Sequence, residues 1–434
     1  MDLTRRRLLG AAGALALPTF LGGCGGFSTS SGDDDAAGGD TDTLTVTTWG
    51  TDSELAGLRA AVARFEGSSG ARVALDVVPY EQMFSNVDAQ IQAGNPPDVF
   101  RVPYYTFGSY AGRGQLLDLS PYLEDGFADR FTPQAWAAVQ SDGAPYGVPH
   151  HTDTSAILVN TELLGAAGIT ELPASPEEAW TWDQLAEVAT TLRGSLPAEQ
   201  YPFAVNWQGN GVTRWLSWLF QADGRFLTED LSGPAIDSAA AREAVAFTQS
   251  FFAQGWVPPN SSVQSATYSS DSWYAQTVAM VWGGAFLVPD AEATLDFEWT
   301  ATYAPRKVRG GSDFGGNALV ATAGTPRAEL AAAFLASVTE EESMREFCAG
   351  ASLLPTRTDL VEQGIEFAVR PELSPVFVGQ AGVVLPEDSG QVASPDMASI
   401  ITVLQDALEG AFVGGQDVET TITAMSDGIA AAVR

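Results

Sequence analysis

An α/β fold is what the order of hydrophobic patterns along this chain predicts. Beyond residue 43, segments in which apolar and polar residues alternate are followed by segments in which apolar residues recur every three or four positions. Strand and helix in repeated alternation are typical of a parallel sheet covered by helices on both faces. The length of 434 residues further indicates two or three folding units, each large enough to bury a hydrophobic core.

The first five predicted elements follow directly after Thr43. Leu44 and Val46 alternate with polar residues as in a strand, and "TDSELAGLRAAVARFEG" has helical spacing, with a capping box formed by Thr51 and Glu54. "ARVALDVVPY", "EQMFSNVDAQIQAGN" and "PPDVFRVP" continue as strand, helix and strand. Parallel sheets bind ligands in the loops beyond the carboxyl ends of their strands, so we expect a binding site at those loops.

Later segments predict further helices. Thr181 and Gln184 in "TWDQL" form a second capping box, residues 327–338 are predicted to form a helix, and Thr339 and Glu342 are predicted to cap the helix that follows. The segment "SPDMASIITVLQDALEGAFVGG" places four apolar residues at intervals of four, which predicts a helix with one buried face: Ile400, Leu404, Leu408 and Phe412.

Residues 1-23 are predicted to be an export signal. Three consecutive arginines begin at Arg5, and the apolar stretch over residues 8–23 is too short and too rich in glycine for a transmembrane helix. The "LGGC" ending resembles the lipobox of lipoproteins, in which cleavage before the cysteine is followed by lipidation, here of Cys24; the arginines resemble a twin-arginine signal. The alternative is a Sec signal with an unlipidated cysteine, and the choice between the two export routes stays open.

Residues 24-42 are predicted to be a flexible acidic linker. Glycine, serine, aspartate and alanine dominate this stretch, and Phe27 is its one large apolar residue. Cys348 is the one cysteine beyond the linker, so an intrachain disulfide is excluded in the predicted folded body. The same count excludes a zinc site of four cysteines, or of two cysteines and two histidines. We therefore predict no metal and no cofactor.

The charge balance narrows the choice of partners. The chain has 54 acidic against 21 lysine and arginine residues, for a formal net charge of −33. Such a surface repels nucleic acid and anionic lipid. We expect no nucleic-acid partner.

Both histidines of the chain lie together in "YGVPHHTDTSAILVN". Neighbouring residues in an extended segment point to opposite faces, so His150 and His151 are poorly placed to chelate one ion. A metal site is therefore disfavoured, while His151 stays open as a hydrogen-bonding residue of a cleft.

Sequence motifs of catalysis are absent. The chain has no G-x-S-x-G, no H-E-x-x-H and no Walker loop. A glycosidase-like pair of carboxylates cannot be excluded by counting, because acidic residues are so numerous. An enzymatic role thus has no specific motif behind it.

Several blocks of the chain resemble one large family. They are "GNPPDVFRV" with the following "GSYAGRGQLLDLSPYL", "YGVPHHTDTSAILVNTELLGAAGI", "TWDQLAEVATTL", "TVAMVWGGAFLVP" and "GASLLPTRTDL". In their order and spacing, over nearly the whole chain beyond Thr43, they resemble the extracellular solute-binding proteins of bacterial ABC sugar importers, of which the maltose-binding protein is the best known. No single block is specific.

The resemblance implies a two-lobed, periplasmic-binding-protein-like (Venus flytrap) fold. Each lobe would be a mostly parallel sheet flanked by helices, and the chain would cross between the lobes three times. The implied division is residues 43-149 plus 301-353 for lobe one, and residues 150-300 plus 354-434 for lobe two.

The function implied is that of a substrate-binding lipoprotein. It would capture a mono- or oligosaccharide between the lobes as a monomer, without altering it, and deliver it to the transmembrane permease subunits of an ABC transporter. Its place would be the extracytoplasmic face of the membrane, through the lipid anchor. The alternatives are a secreted carbohydrate-active enzyme and a binder of a non-sugar solute.

Sugar binding requires aromatic rings that stack on pyranose faces, together with polar side chains that pair with hydroxyls. The segments that the resemblance places at the cleft supply both kinds, and we predict as ligand-binding residues Trp49, Tyr104, Tyr105, Asp153, Trp207, Gln208, Trp215, Trp282, Gly283, Phe286, Asn317 and Arg357. For two of these a structural role stays open. Trp215 has helical spacing to Trp218 and suits a core equally well, and Arg357 suits an ion pair at the third crossing.

Overall fold

The computed structural model describes residues 43–433. The predicted signal, the linker and Cys24 lie outside the described residues. The strands are Thr43–Thr48 (β1), Arg72–Val77 (β2), Val99–Pro103 (β3), Gln140–Ser141 (β4), Ala144–Pro145 (β5), Val148–Asp153 (β6), Ser155–Asn160 (β7), Tyr201–Ala204 (β8), Val278–Gly284 (β9), Trp299–Thr302 (β10) and Gly315–Ala321 (β11).

Helices occupy most of the remaining chain. They are Asp52–Ser69 (α1), Tyr80–Gln92 (α2), Tyr104–Gly112 (α3), Pro133–Ala137 (α4), Thr161–Ala166 (α5), Trp182–Ser195 (α6), Leu216–Gln221 (α7), Ala239–Ala253 (α8), Ser269–Tyr274 (α9), Val288–Thr294 (α10), Ala328–Val338 (α11), Glu341–Ala351 (α12), Thr358–Gln363 (α13), Ser374–Ala381 (α14), Pro386–Val392 (α15), Met397–Phe412 (α16) and Val418–Ala432 (α17). Short 3-10 turns cover Phe127–Arg130, Gly209–Trp215, Ala285–Leu287 and Pro371–Leu373.

The predicted start of the fold is confirmed. β1, α1, β2, α2 and β3 follow one another as the hydrophobic patterns indicate. The cap predicted from Thr339 and Glu342 is wrong, because α12 begins one residue later, at the N-cap Glu340, which makes no side-chain capping hydrogen bond. The other two predicted capping boxes form: Thr51 with Glu54 at α1, and Thr181 with Gln184 at α6. In each box the threonine oxygen accepts from the third helical backbone N–H, which satisfies a donor that has no partner within the helix.

Two separate sheets make up the two lobes of the fold. The first lobe is built on a five-stranded sheet in the order β2-β1-β3-β11-β6, and the second on a four-stranded sheet in the order β10-β7-β9-β8. Both sheets are mixed, which corrects the expectation of mostly parallel sheets. In the first, β11 runs antiparallel to β3 and β6; in the second, only β8 and β9 pair in parallel. The strand-helix-strand pattern at the start of the chain correctly predicts the parallel pairing of β1 with β2 and β3, but it does not extend to the later strands.

Hydrogen bonding moves two of the predicted lobe limits. β6 stays in the first sheet as far as Asp153, so the chain leaves that sheet about four residues beyond the boundary predicted at 149/150. β10 pairs with β7 in the second sheet across the boundary predicted at 300/301. Strand pairing rather than hydrophobicity decides where each strand ends, and pairing is not visible in the local pattern.

The C-terminal part contacts both lobes. α16 buries Ile400, Leu404 and Leu408 in the core of the second lobe, as its spacing predicts. Before it, α15 packs against α4 of the first lobe, and a β-carbon added to Gly108 of α3 would lie 2.1 Å from the Ala393 carbonyl oxygen. The absence of a side chain at that glycine lets the backbone after α15 approach α3. The predicted division at 353/354 assigned residues 386–393 to the second lobe alone, whereas in the structure they also contact the first lobe.

None of the helices within residues 43–433 combines the length and the apolar character that crossing a bilayer requires.

Candidate ligand-binding cleft

A cavity of about 650 Å³ lies between the two sheets. Its wall is formed mainly by residues in the last residues of, or after, the strands β1, β3, β6, β8 and β9, together with residues on and just before β11. This is the position at which open α/β sheets bind ligands. The volume suits a small organic ligand, since such pockets usually measure about 300–1,000 Å³.

Six of the predicted site residues line this cavity and six do not. In the wall are Trp49, Tyr105, Asp153, Gln208, Phe286 and Asn317. Outside it are Tyr104, Trp207, Trp215, Trp282, Gly283 and Arg357.

The three tryptophans outside the wall belong to the core of the second lobe. Trp207 and Trp215 are fully buried, and their indole N–H groups donate to the Ser261 carbonyl at 2.6 Å and the Thr248 hydroxyl at 3.0 Å. Trp282 packs between Phe203 and Trp218. Placing them in the cleft was wrong, because all three belong to the hydrophobic core of the second lobe, where Trp207 and Trp282 also pack against other aromatic rings.

The other three residues outside the wall have structural contacts. Tyr104 is buried and its hydroxyl donates to the His151 carbonyl at 2.9 Å. A β-carbon on Gly283 would meet the Leu287 side chain at 2.6 Å rather than the cavity. Arg357 forms an ion pair with Asp359 at 2.5 Å, which is the structural role that the sequence had left open for it.

The first lobe contributes an arginine-centred group to the cavity. Arg101, on the central strand β3, pairs with Glu54 at 2.6 Å, donates to the Trp49 carbonyl at 2.8 Å, and lies over the Trp49 ring at 4.6 Å from its centre. Although burial alone would raise it, the pKa of Glu54 is lowered, because Arg101 and the N–H and hydroxyl of Thr51 stabilise the carboxylate. The charges of Arg101 and Glu54 therefore neutralise each other, and the contacts of Arg101 with Trp49 fix the orientation of the Trp49 indole.

His151 is a neutral hydrogen-bond acceptor in the same wall. Its Nε2 accepts from Arg101 Nη2 at 2.8 Å and faces Asn317 Nδ2 at 3.0 Å. An arginine can only donate, so Nε2 must be unprotonated and the proton lies on Nδ1, which faces the Thr152 carbonyl at 3.4 Å. Burial, together with the positive charge of Arg101, holds the pKa of His151 well below its usual value. The hydrogen-bonding role left open for His151 is directed at protein groups that line the cleft.

The second side of the cavity holds two carboxylates and one arginine. Arg214 Nε lies 3.4 Å from Asp313 Oδ2, and Arg214 Nη2 lies 4.0 Å from Asp153 Oδ2. Asp153 Oδ1 accepts from the Ala285 N–H, and Asp313 Oδ1 accepts from the Ser155 N–H. Burial raises the pKa of Asp153 to about 7, an effect that Asp313 increases and Arg214 opposes.

Several buried polar atoms in this wall have no hydrogen-bond partner. They are the acceptors Asp313 Oδ2, Gln208 Oε1 and Asn206 Oδ1 and the donors Arg214 Nε and Arg101 Nε. The amide nitrogens of Gln208 and Asn206 are already used, on the Val205 carbonyl and the Ser155 hydroxyl. Unpaired buried polar atoms are costly, so these atoms are available to a polar ligand.

Aromatic rings complete the wall. The ring centres of Trp49 and Tyr80 lie 5.2 Å apart, and the hydroxyl oxygens of Tyr80 and Tyr105 lie 2.5 Å apart. From the second lobe, Tyr268 and Phe286 keep 64% and 37% of their surface exposed. Exposed rings beside unpaired polar atoms are suited to a ligand with both an apolar face and hydroxyl groups.

Sequence reasoning missed much of the polar lining. The sequence predicts a helix cap at Glu54, which forms, and a strand around Arg101, but neither pattern indicates that these two side chains line a cavity. Asn206 and Arg214 flank the predicted Gln208 in "NWQGNGVTR", and that polar, glycine-rich stretch was the signal that could have identified them. Asp313 had no signal of its own, since it meets Asp153 only through the fold.

Among the described residues, no group of three or more histidine, cysteine, aspartate or glutamate side chains is arranged to hold a metal ion. With its neutral histidine and compensated ion pair, the cavity can pair with polar groups and cover apolar faces.

Comparisons with known proteins agree with this geometry. Residues 49–345 match the family described as bacterial extracellular solute-binding protein. The diacetylchitobiose binding protein DasA of Streptomyces coelicolor is 25% identical over 339 residues, covering 76% of this chain and 77% of that protein.

Two crystal structures share the fold at low identity. The cyclic α-maltosyl-1,6-maltose binding protein of Arthrobacter globiformis superposes with a TM-score of 0.76 at 19% identity, over 90% of this chain and 98% of its own. A solute-binding protein of Thermotoga lettingae, bound with α-D-tagatose, has a TM-score of 0.75 at 21% identity, over 91% of this chain and 100% of its own.

Proposed function

Because the chain belongs to the family of bacterial extracellular solute-binding proteins, we propose that it is the substrate-binding component of an ABC sugar importer. It binds a mono- or oligosaccharide in the cavity between the lobes and presents it, unaltered, to a membrane permease. The relatives bind sugars, as the names of the Streptomyces and Arthrobacter proteins state.

The observation that carries this proposal is the composition of the cavity wall. A pyranose has apolar C–H faces and hydroxyls that both donate and accept, and the wall offers rings together with unpaired donors and acceptors of both lobes. A purely apolar ligand would leave those polar atoms buried without partners.

Closure of the lobes is the expected mechanism. Trp49 and Arg101 lie in the first lobe and Gln208 and Phe286 in the second, so a ligand contacts both sets only when the lobes are together. Binding then shifts the population toward the closed form by the difference in affinity between the two states. A disaccharide of about 23 heavy atoms at roughly −0.3 kcal/mol per atom gives about −7 kcal/mol, a near-micromolar affinity suited to capture and release.

The location follows from the family and the N-terminal pattern. Export, cleavage before Cys24 and lipidation of that cysteine would hold the protein at the extracytoplasmic face, with the acidic linker as tether. We propose that it acts there as a monomer. Mass spectrometry of the protein from its native membrane tests this: a diacylglyceryl group on Cys24 supports it, and an unmodified or uncleaved N-terminus contradicts it.

Titration calorimetry against a panel of neutral sugars, with chromatography of each mixture afterwards, tests the binding role. We expect heat of binding with at least one sugar and its complete recovery. A cleaved sugar would identify the enzymatic alternative, to which the two carboxylates Asp153 and Asp313 would then belong. Absence of heat with every sugar would favour a non-sugar solute.

A further inference from the structure

The end of the cavity around Asp153 and Asp313 carries an excess of negative charge when both carboxyl groups are ionised. Within the cavity wall, Glu54 is compensated by Arg101 at 2.6 Å. Two carboxylates, Asp153 and Asp313, then face a single guanidinium, that of Arg214, at 4.0 and 3.4 Å. No other basic side chain of residues 43–433 forms an ion pair with either carboxylate. His151 in the neighbouring wall is neutral and adds no positive charge.

The same end also has more unpaired acceptors than donors. Asp313 Oδ2 and Asn206 Oδ1 have no hydrogen-bond partner, and neither has the donor Arg214 Nε, which lies 3.4 Å from Asp313 Oδ2. A third acceptor without a hydrogen-bond partner, Gln208 Oε1, lies in the wall of the same cavity. Asp313 and Gln208 are more than nine-tenths buried and both line the cavity. The side-chain amide nitrogen of Gln208 donates to the Val205 carbonyl, which fixes the amide so that its oxygen faces the cavity as an acceptor. The carboxylate of Asp313 is oriented by the Ser155 N–H, which donates to its other oxygen.

A hydroxyl group donates one hydrogen bond, whereas a primary ammonium donates three and accepts none. An ammonium also supplies the positive charge that this end lacks, and pairing it relieves the cost of a buried uncompensated carboxylate. A ligand carboxylate would do the opposite, by adding a third negative charge and more acceptors. The net charge of −33 on the whole chain acts in the same direction.

We propose that this cleft selects its sugar by charge: it prefers a saccharide carrying a free primary amine, which binds at the end formed by Asp153, Asp313 and Asn206, and it rejects sugar acids. This inference rests on the proposed sugar-binding function and names the ligand class for it. Neutral sugars bind the same cavity more weakly, because a hydroxyl satisfies fewer of the unpaired acceptors.

A matched set of disaccharides tests the preference on the unmodified protein. Cellobiose, chitobiose with free amines, N,N′-diacetylchitobiose and cellobiouronic acid differ mainly in the group attached to one ring skeleton. Calorimetry at near-neutral pH should show chitobiose binding about tenfold or more tighter than cellobiose, and no heat with the acid. The preference should weaken as salt is added, since it depends on charge.

Asp313→Asn removes one charge while it preserves the shape of the side chain and the acceptor for the Ser155 N–H. We expect the preference for chitobiose over cellobiose to fall to about threefold or less in this variant, and Asp427→Asn, an exposed change on α17, to retain it. Circular dichroism establishes that both variants are folded.

The outcomes separate the two proposals. If chitobiose binds no tighter than cellobiose, or neither binds while another neutral sugar does, the charge preference is refuted and the sugar-binding function stands. If the acid binds as well as cellobiose, the charge preference is likewise refuted. If no sugar of any kind binds, both proposals are refuted. Retention of the full preference by Asp313→Asn would refute the assignment of the amine to this end.

Discussion

The guanidinium of Arg101 and the imidazole of His151 meet at 2.8 Å, through Nη2 and Nε2. The contact joins β3 to β6 by side chains, although β11 lies between them in the sheet, and Asn317 on β11 faces the same imidazole nitrogen. The floor of the cleft in the first lobe is therefore tied together by one neutral histidine.

Replacement of this histidine should reduce stability in a way that depends on the new side chain. In His151→Leu, two buried donors, on Arg101 and Asn317, lose their acceptor, at a cost of about 1–3 kcal/mol each. His151→Gln retains an acceptor oxygen and should lose less. Urea unfolding at neutral pH measures both variants, and equal stability of the two would contradict the hydrogen-bonding role.

The same histidine should influence stability at acidic pH. In the native protein the pKa of His151 is well below 6.5, because burial and Arg101 disfavour its charge, whereas in the unfolded chain it is near 6.5. Below about pH 6.5 the unfolded chain therefore binds a proton that the native protein does not, and the contribution to stability is lost as the pH falls. His151→Gln should lose less stability between about pH 6.5 and 5 than the unmodified protein, as urea titrations at each pH would show. Identical slopes would rule this contribution out.

Asp153 should change the stability in the opposite direction, lowering it as the pH rises. Its pKa is raised to about 7 in the native protein, because it is buried and faces Asp313, with Arg214 compensating only in part. In the unfolded chain the pKa of an aspartate is about 3.9. As the pH rises from about 4 to 7, the unfolded chain releases this proton while the native protein retains it, so stability falls by an amount on the order of 4 kcal/mol.

In Asp153→Asn this decline should be absent, and the difference in unfolding free energy between the variant and the unmodified protein should grow with pH in that window. The variant retains an oxygen to accept from the Ala285 N–H. Asp427→Asn, exposed on α17, serves as the control with the same change of charge. Parallel stability curves for all three proteins would exclude a raised pKa at Asp153.

Two tryptophans should separate ligand binding from stability. Trp49 is half-buried at the cavity wall, so Trp49→Ala should weaken sugar binding by about tenfold or more with a modest effect on unfolding. Trp282 lies in the core between Phe203 and Trp218, and Trp282→Ala should cost about 3–5 kcal/mol of stability. Calorimetry and urea unfolding of both variants check this. The reverse assignment of effects would place Trp282 at the ligand.

Gly108 should tolerate no side chain. In Gly108→Ala the new β-carbon would lie 2.1 Å from the Ala393 carbonyl oxygen and 2.5 Å from that of Ser394, both backbone atoms, so a loss of about 1–3 kcal/mol is expected. Gly67→Ala in α1 is the matched control. Nothing lies within 4 Å of its added β-carbon, and the helix should gain about 0.5–1 kcal/mol. Thermal unfolding of both variants measures this difference. If Gly108→Ala were as stable as Gly67→Ala, the close contact between α3 and the backbone after α15 would be unimportant for stability.

Local pattern was enough to predict the elements at the start of the fold. The strands and helices from β1 to β3, the capping boxes of α1 and α6 and the buried face of α16 depend on neighbouring residues, which are adjacent in the sequence. The resemblance of widely spaced blocks was likewise enough to identify the family, because their order is a property of the chain.

The sequence alone therefore determined the α/β class, the family and the chemical kinds of residue available to a ligand. Tertiary structure decided which members of each kind reach the cleft. Trp49 and Trp207 are chemically identical, but Trp207 is held in the core by its packing against Phe412, with ring centres 5.0 Å apart, and by its hydrogen bond to the Ser261 carbonyl. Asp153 and Asp313 lie 160 positions apart in the sequence, and only the folded chain brings both carboxylates next to Arg214. Burial and charge pairing depend on contacts between residues that are distant in the sequence, so no local sequence pattern predicts them.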